Sequence, residues 1–132
     1  MTVTRDSSEA RTYEGGSYRH RPKGKGIYYV TPPCAMKRLA ARYEYGADKY
    51  GQPEEFKKGL PVSDCMDSLL RHAFEYLDGD NSEDHMAAIA WNAFAIMHME
   101  QPSMAGKWQD LPQRRGKRVN AYRTYSAGER TK

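Results

Sequence analysis

Residues 64–80 read DCMDSLLRHAFEYLDGD and, after Asn81 and Ser82, residues 83–92 read EDHMAAIAWN. The first stretch is periodic at helical spacing. Met66, Leu69, Leu70, Ala73, Phe74 and Leu77 share one face of a helix beginning near Ser63, while Asp64, Asp67, Ser68, Arg71, Glu75 and Asp78 share the other, with His72 on the border. Asp78-Gly79 ends it. The second stretch opens a helix over about Glu83–Met99 whose apolar residues leave almost no polar face. Such a helix is buried on all sides, and three helices of this length are too few to surround it. A partner subunit is therefore expected to complete the bundle.

Moving outward, Pro32-Pro33 predicts a helix start, and the apolar spacing of Leu39, Tyr43, Ala47 and Tyr50 carries that helix to about Tyr50. Gly46 weakens it locally. A Gly- and Pro-containing loop with a charged run fills 51–62. Residues 1–32, poor in aliphatic side chains, read as an extended basic arm, 33–104 as the helical catalytic domain, and 105–132 as a basic C-terminal arm or tail. No strand-rich region and no repeat is visible. The fold class is all-α.

The formal charge of +4 is unevenly spread: residues 1–32 carry 6 basic and 3 acidic side chains, 33–104 carry 7 and 12, and 105–132 carry 8 and 2. Basic arms suit nucleic acid or polyphosphate, although solvated surface is the commoner reading. An acidic centre within a basic chain points to bound cations. Cys34 and Cys65 have no metal-type spacing and, with no leader segment, read as reduced residues of a cytoplasmic protein. No apolar run approaches membrane-spanning length, so no membrane partner is expected.

Clustered carboxylates with basic neighbours suit a hard divalent cation holding a phosphorylated ligand. Each acid also has a plainer reading. Asp64 and Asp67 complement the start of a helix, Glu75 pairs with Arg71, and Asn81 with Asp84 resembles a capping box. His85 and Asn92 tilt the balance. They lie seven residues apart, on one face of an otherwise apolar helix, where polar groups need partners. Arg71-His72 suits a phosphate or carboxylate. Glu44, or Asp48 four residues on, offers a third wall. No Walker-type phosphate loop is present, no Ser or Cys has a base partner, and Asp84-His85 reverses the order that a His-Asp phosphohydrolase needs.

The runs LAARYEYGADKYG (39–51), KKGLPVSDCMDSLLRH (57–72) and EDHMAAIAWN (83–92) resemble the phage dATP/dGTP diphosphohydrolase family, relatives of the MazG-type all-α pyrophosphohydrolases. The likeness spans roughly residues 23–100, with Gly24-Lys25 and Pro32-Pro33. Its short, compact layout is most similar to the branch that degrades dGTP in the 2-aminoadenine DNA pathway. MazG-type enzymes bind magnesium through Glu-x-x-Glu and, after a spacer, Glu-x-x-Asp. Here the nearest equivalents are Asp64-x-x-Asp67 and Asp80-x-x-Glu83, with Asp84 competing for the last position. Phe56 stands where relatives often carry tryptophan.

The resemblance implies a MazG-like helical bundle, completed by dimer or tetramer formation. It would cleave the α–β phosphate bond of a purine dNTP, dGTP (or GTP) by family likeness, to the monophosphate and pyrophosphate. The dGMP so formed would feed 2-aminoadenine nucleotide synthesis. Two or more Mg²⁺ ions, replaceable by Mn²⁺, are expected on Glu44, Asp67, Glu83 and Asp84, with Asp67, Glu83 and Asp84 catalytic. Lys25, Lys49 and Arg71 are the expected phosphate contacts, His72, His85 and Asn92 position ligands or substrate, and Tyr43 or Trp91 stacks on the base. The alternative is a non-catalytic helical nucleic-acid-binding or adaptor module that uses the basic arms; it ranks below the enzyme.

Overall fold

The computed structural model describes residues 2–3, 10–20, 24–104 and 106–119. They fall into two compact units, one running to Val30 and the other starting at Thr31. In the first, strands β1 (Thr2–Val3), β2 (Ala10–Thr12) and β3 (Tyr18–His20) form an antiparallel sheet in the order β1-β2-β3. Ala10 pairs with His20 and Thr12 with Tyr18. The reversal between β2 and β3 uses Gly15 and Gly16, at φ 99° and 95°, a conformation open to glycine at little cost. These strands lie in a segment expected to be an extended arm. Runs of two or three residues are too short for a period-2 pattern to show.

The second unit is helical: α1 (Pro33–Tyr50), α2 (Val62–Leu77) and α3 (His85–Met99), with 3₁₀ turns at Glu55–Lys58 and Pro112–Arg114. The all-α reading holds for it. Pro33 at the first turn starts α1, and Gly51, at φ 90°, ends it by donating its N–H to the Ala47 carbonyl. Asp84 is the N-cap of α3, its carboxylate accepting from the Ala87 N–H at 3.1 Å, so that helix starts at His85. No helix among the described residues is long and apolar enough to cross a membrane.

The start of α2 has no side-chain cap of its own, since Pro61 precedes it. Its unpaired N–H groups are met by a segment 47 residues away. Val62 N–H donates to the Trp108 carbonyl at 2.9 Å, and Ser63 donates from both N–H and hydroxyl to Asp110, at 2.9 and 2.5 Å. Trp108 and Leu111 pack on the core of Val62, Cys65, Ala95, Ile96 and Met99. Gly59 lets the indole approach: its φ is 117°, and a Cβ there would overlap the Trp108 ring. The break expected after Met104 is thus crossed by packing, caps and a hydrogen-bonded backbone.

The Ser63 bonds hold the Asp110 carboxyl below the usual carboxylate range. A carboxylate of lowered pKa contributes stability above its unfolded pKa, and loses it as pH falls through the folded one. Asp110→Asn should therefore lower the melting temperature at neutral pH, with the gap to wild type closing as pH drops below about 4. A gap that does not depend on pH in thermal melts would show that the cap acts through shape rather than charge.

The faces of α2 and α3 differ from the expected pattern in one respect. Val62, Cys65 and His72 are the buried positions of α2, while Leu70, Phe74 and Leu77, expected in the core, are 46, 64 and 77% exposed. On α3, buried along one side, Met86, Phe94 and Met97 are exposed. The apolar sector of each helix is wider than a single neighbouring helix can cover.

Candidate functional site

The stripe of α2 that turns towards α3 carries His72, and the first residue of α3 is His85. The two imidazoles meet with their Nδ1 atoms 2.9 Å apart and are 4 and 2% exposed. Asp80, in the turn between the helices, accepts from the Ser82 hydroxyl at 2.8 Å and contacts His85 Nε2 at 2.6 Å. A carboxylate can only accept, so His85 Nε2 carries a proton. In a neutral ring its Nδ1 is then a lone pair, and His72 Nδ1 is the donor between the two rings. Burial pushes the His72 pKa below its ordinary value, against the pull of Glu83, so at pH 7 this ring is uncharged.

Two carboxylates complete the group. Glu75 Oε1 stands 3.8 Å from His72 Nδ1 and 3.6 Å from His85 Nδ1. One donor atom from each of His72, Glu75, Glu83 and His85 lies within 4.8 Å of all the others. This is a set of nitrogen and oxygen donors able to converge on one cation. Two arginines of α1 reach the acids at the start of α3. Arg38 grips Asp84 with two bonds of 2.8 and 2.7 Å, and Arg42 reaches Glu83 at 3.0 Å. The Arg38 bonds hold the Asp84 carboxyl at a pKa of about 2.

Beside this group, sharing His72 with it and lined also by the Arg42 that bonds Glu83, lies a cleft of about 330 Å³, a size suited to a small ligand. Tyr43, Phe56 and Trp91 line one part with mutual ring distances of 5.6–6.2 Å. Arg42, Lys49 and Arg71 supply positive charge to its wall. Asn92, 6% exposed, also lines it. The Asn92 side-chain nitrogen donates to the Ala88 carbonyl at 2.9 Å and to the Ser68 hydroxyl at 3.2 Å. Because a carbonyl can only accept, the amide cannot be reversed, and its oxygen is the acceptor it offers to a ligand.

Of the acids expected from sequence to hold metal, Glu83 alone belongs to the four-residue group. Asp84 caps α3 and pairs with Arg38. Glu44 and Asp67 are exposed and make no ion pair among the described residues. His72 and His85 are in the group, His72, Lys49, Arg71 and Asn92 line the cleft, and Lys25 is exposed in the N-terminal unit. Sequence reasoning gave no role to Arg38, Arg42 or Asp80's contact with His85, and it read Glu75 as a surface partner of Arg71. The turn DGDNS, with Asp80 five residues before His85, was the available signal for Asp80. Nothing local marks the arginines.

No curated protein and no solved structure matches the chain. Residues 15–110, which include α1, α2, α3 and the Trp108–Asp110 segment that caps α2, match the family described as dATP/dGTP diphosphohydrolase, N-terminal. The chain belongs to that family of nucleotide hydrolases.

Proposed function

We propose that the protein is a metal-dependent diphosphohydrolase of a purine deoxynucleoside triphosphate, with dGTP as its substrate, yielding dGMP and pyrophosphate. The observation that carries this reading is the adjacency of a cationic, aromatic-lined cleft to a convergent His/Glu group, with His72 common to both. The base stacks against Tyr43 and Trp91, and Lys49 and Arg71 hold the phosphates. The Asn92 oxygen suits the N–H groups on the edge of guanine. Membership of a diphosphohydrolase family favours this reading over a binding module built on the basic arms.

Water attacks the α-phosphorus, the bond from that phosphorus to the bridging oxygen breaks, and the electron pair leaves on pyrophosphate. His72, Glu75, Glu83 and His85 would hold a divalent cation, which would supply charge neutralisation and lower the pKa of the attacking water. The chain's own residues fix the rest. Arg42 sits between Glu83 and the cleft, where it neutralises charge on either, and Arg38 with Asp84 holds the start of α3 against α1. Glu44 and Asp67 remain available to a second, more solvated ion. Incubation with dGTP, dATP, dCTP and dTTP in Mg²⁺ or Mn²⁺, with products resolved by ion-exchange chromatography, should show dGMP and pyrophosphate and no activity in EDTA. Release of orthophosphate and dGDP would sink the α–β assignment, and turnover in excess chelator would sink the metal.

The functional unit is proposed to be a dimer or larger assembly, and its dGMP to feed the synthesis of 2-aminoadenine nucleotides. Leu70, Phe74 and Leu77 form an i, i+4, i+7 stripe, and Phe94 and Met97 extend the exposed apolar surface of α3. Light scattering should give at least twice the 15.1 kDa chain mass, and Phe74→Glu should lower it to that of a monomer. A monomeric wild type would leave those side chains without a partner copy.

A further inference from the structure

The loop between α1 and α2 presents one aromatic ring to the cleft and has no core of its own. Phe56 lies in the 3₁₀ turn Glu55–Lys58, none of whose residues is buried. Its ring has three aromatic neighbours: Tyr43 at 5.8 Å, Trp91 at 5.6 Å and His98 at 5.5 Å, the last two edge-on. Tyr43 and Trp91 line the cleft with it, whereas His98 stands behind the lining. A turn with so little buried surface opens easily unless something packs against its rear.

Two separate contacts from the chain beyond α3 reach that turn. Gly59 closes it by donating its N–H to the Phe56 carbonyl at 3.0 Å, and the Trp108 indole lies where a Gly59 side chain would be. The Trp108 carbonyl also accepts from the Val62 N–H at 2.9 Å, which fixes the exit of the loop. The other contact runs through His98. Gln101 donates its side-chain N–H to His98 Nδ1 at 3.0 Å, and the same nitrogen lies 3.6 Å from the Met104 sulfur. That bond fixes the plane of the imidazole whose edge meets Phe56. Core packing alone accounts for Trp108, but not for a second route that ends on the same cleft residue.

We propose that Trp108 and His98 are positioning residues for the nucleobase: acting through Gly59 and Phe56, they set the depth of the aromatic end of the cleft. The inference rests on the nucleotide reading above and goes beyond it in giving the chain beyond α3 a part in binding the base. The phosphate end is held independently. Lys49 and Arg71 stand on α1 and α2, and His72 is ten residues, roughly 15 Å of helix, from Val62. Loss of either contact therefore loosens the grip on the base and leaves the phosphate contacts and the His/Glu group in place.

The test uses the full-length protein, with dGMP as binding probe, dGTP as substrate and inorganic tripolyphosphate as a competitor that has no base. The chain has 2 tryptophans, so in Trp108→Phe any fluorescence quenched by dGMP comes from Trp91 in the cleft. Trp108→Phe should raise the dGMP dissociation constant and the KM for dGTP together, by about 3–10-fold, with kcat changed by less than about twofold. The inhibition constant of tripolyphosphate should not move. His98→Ala should do the same through the other contact, and it decides alone if Trp108→Phe does not fold. His98→Phe, which keeps a ring edge against Phe56, should restore the wild-type KM. Ile96→Val, a buried core change outside the cleft lining, should lower Tm and leave KM unchanged. Unmoved dGMP affinity in the folded variants, an equal rise in KM for Ile96→Val, or a parallel loss of tripolyphosphate inhibition would overturn the proposal. Weakened dGMP binding in both variants of a protein that leaves dGTP intact keeps the base site and sinks the hydrolase. Hydrolysis with dGMP affinity unmoved does the reverse.

Discussion

Glu83→Gln should lower kcat for dGTP by about 10²–10³-fold while leaving the fold intact. Glu83 is the one acid that was expected from sequence and also sits with His72, Glu75 and His85. Glutamine keeps the size of the side chain and can still accept from Arg42, which bonds Glu83 at 3.0 Å, so the change removes charge rather than packing. Asp84→Asn is the informative contrast. Asparagine caps a helix nearly as well as aspartate, but the paired charge with Arg38 is lost, so that variant should melt slightly lower and keep most of its turnover. Asp78→Asn, at the exposed end of α2, should be silent in both respects. Steady-state kinetics beside thermal melts separate the three. Near-normal turnover in Glu83→Gln would take that carboxylate out of the chemistry and return attention to Asp67 and Glu44.

Cutting the chain after Met104 should unfold the helical unit, whereas a chain ending at Val119 should remain soluble and active. The shorter chain loses Trp108, Asp110 and Leu111 together. Removing a packed tryptophan side chain costs about 3–5 kcal/mol when it is fully buried, and somewhat less for a half-buried one. The bonds from Asp110 to the start of α2 are lost with it. Against a total stability of about 5–15 kcal/mol for a domain, that loss is decisive. Trp108→Ala alone should lower the melting temperature by many degrees, and Gly59→Val should do the same from the other side of the contact. A chain ending at Met104 that melts cooperatively near the wild-type temperature would show that the Trp108 contact contributes little.

Much of the helical unit was legible because its signals are local. Pro33 and the left-handed Gly51 bound α1, Asp78-Gly79 closes α2, and a 3.6-residue period runs through both. Polar residues placed on an apolar helix also announce themselves in one dimension: His85 and Asn92 stood out for the cost of burying them, and both are buried. The aromatic residues chosen to stack on a base, Tyr43 and Trp91, do line a common cleft.

Tertiary structure decided the rest. Periodicity shows which sector of a helix is apolar, but not which stripe within it meets a neighbour. Hence Leu70, Phe74 and Leu77 read as core although Val62, Cys65 and His72 take that place. Pairings across long separations have no local signature: Asp110 on Ser63, Arg38 on Asp84 and Arg42 on Glu83 join residues 41–47 apart. The acids at the start of α3 show the physical reason most directly. Sequence makes Glu83 and Asp84 equivalent neighbours, but Asp84 takes the non-helical N-cap position and accepts from the Ala87 N–H and Arg38, while Glu83, one residue before the cap, joins Glu75 and two imidazoles. Which carboxylate is free of the cap is set by where α3 begins and by the packing of α1 and α2 around that start.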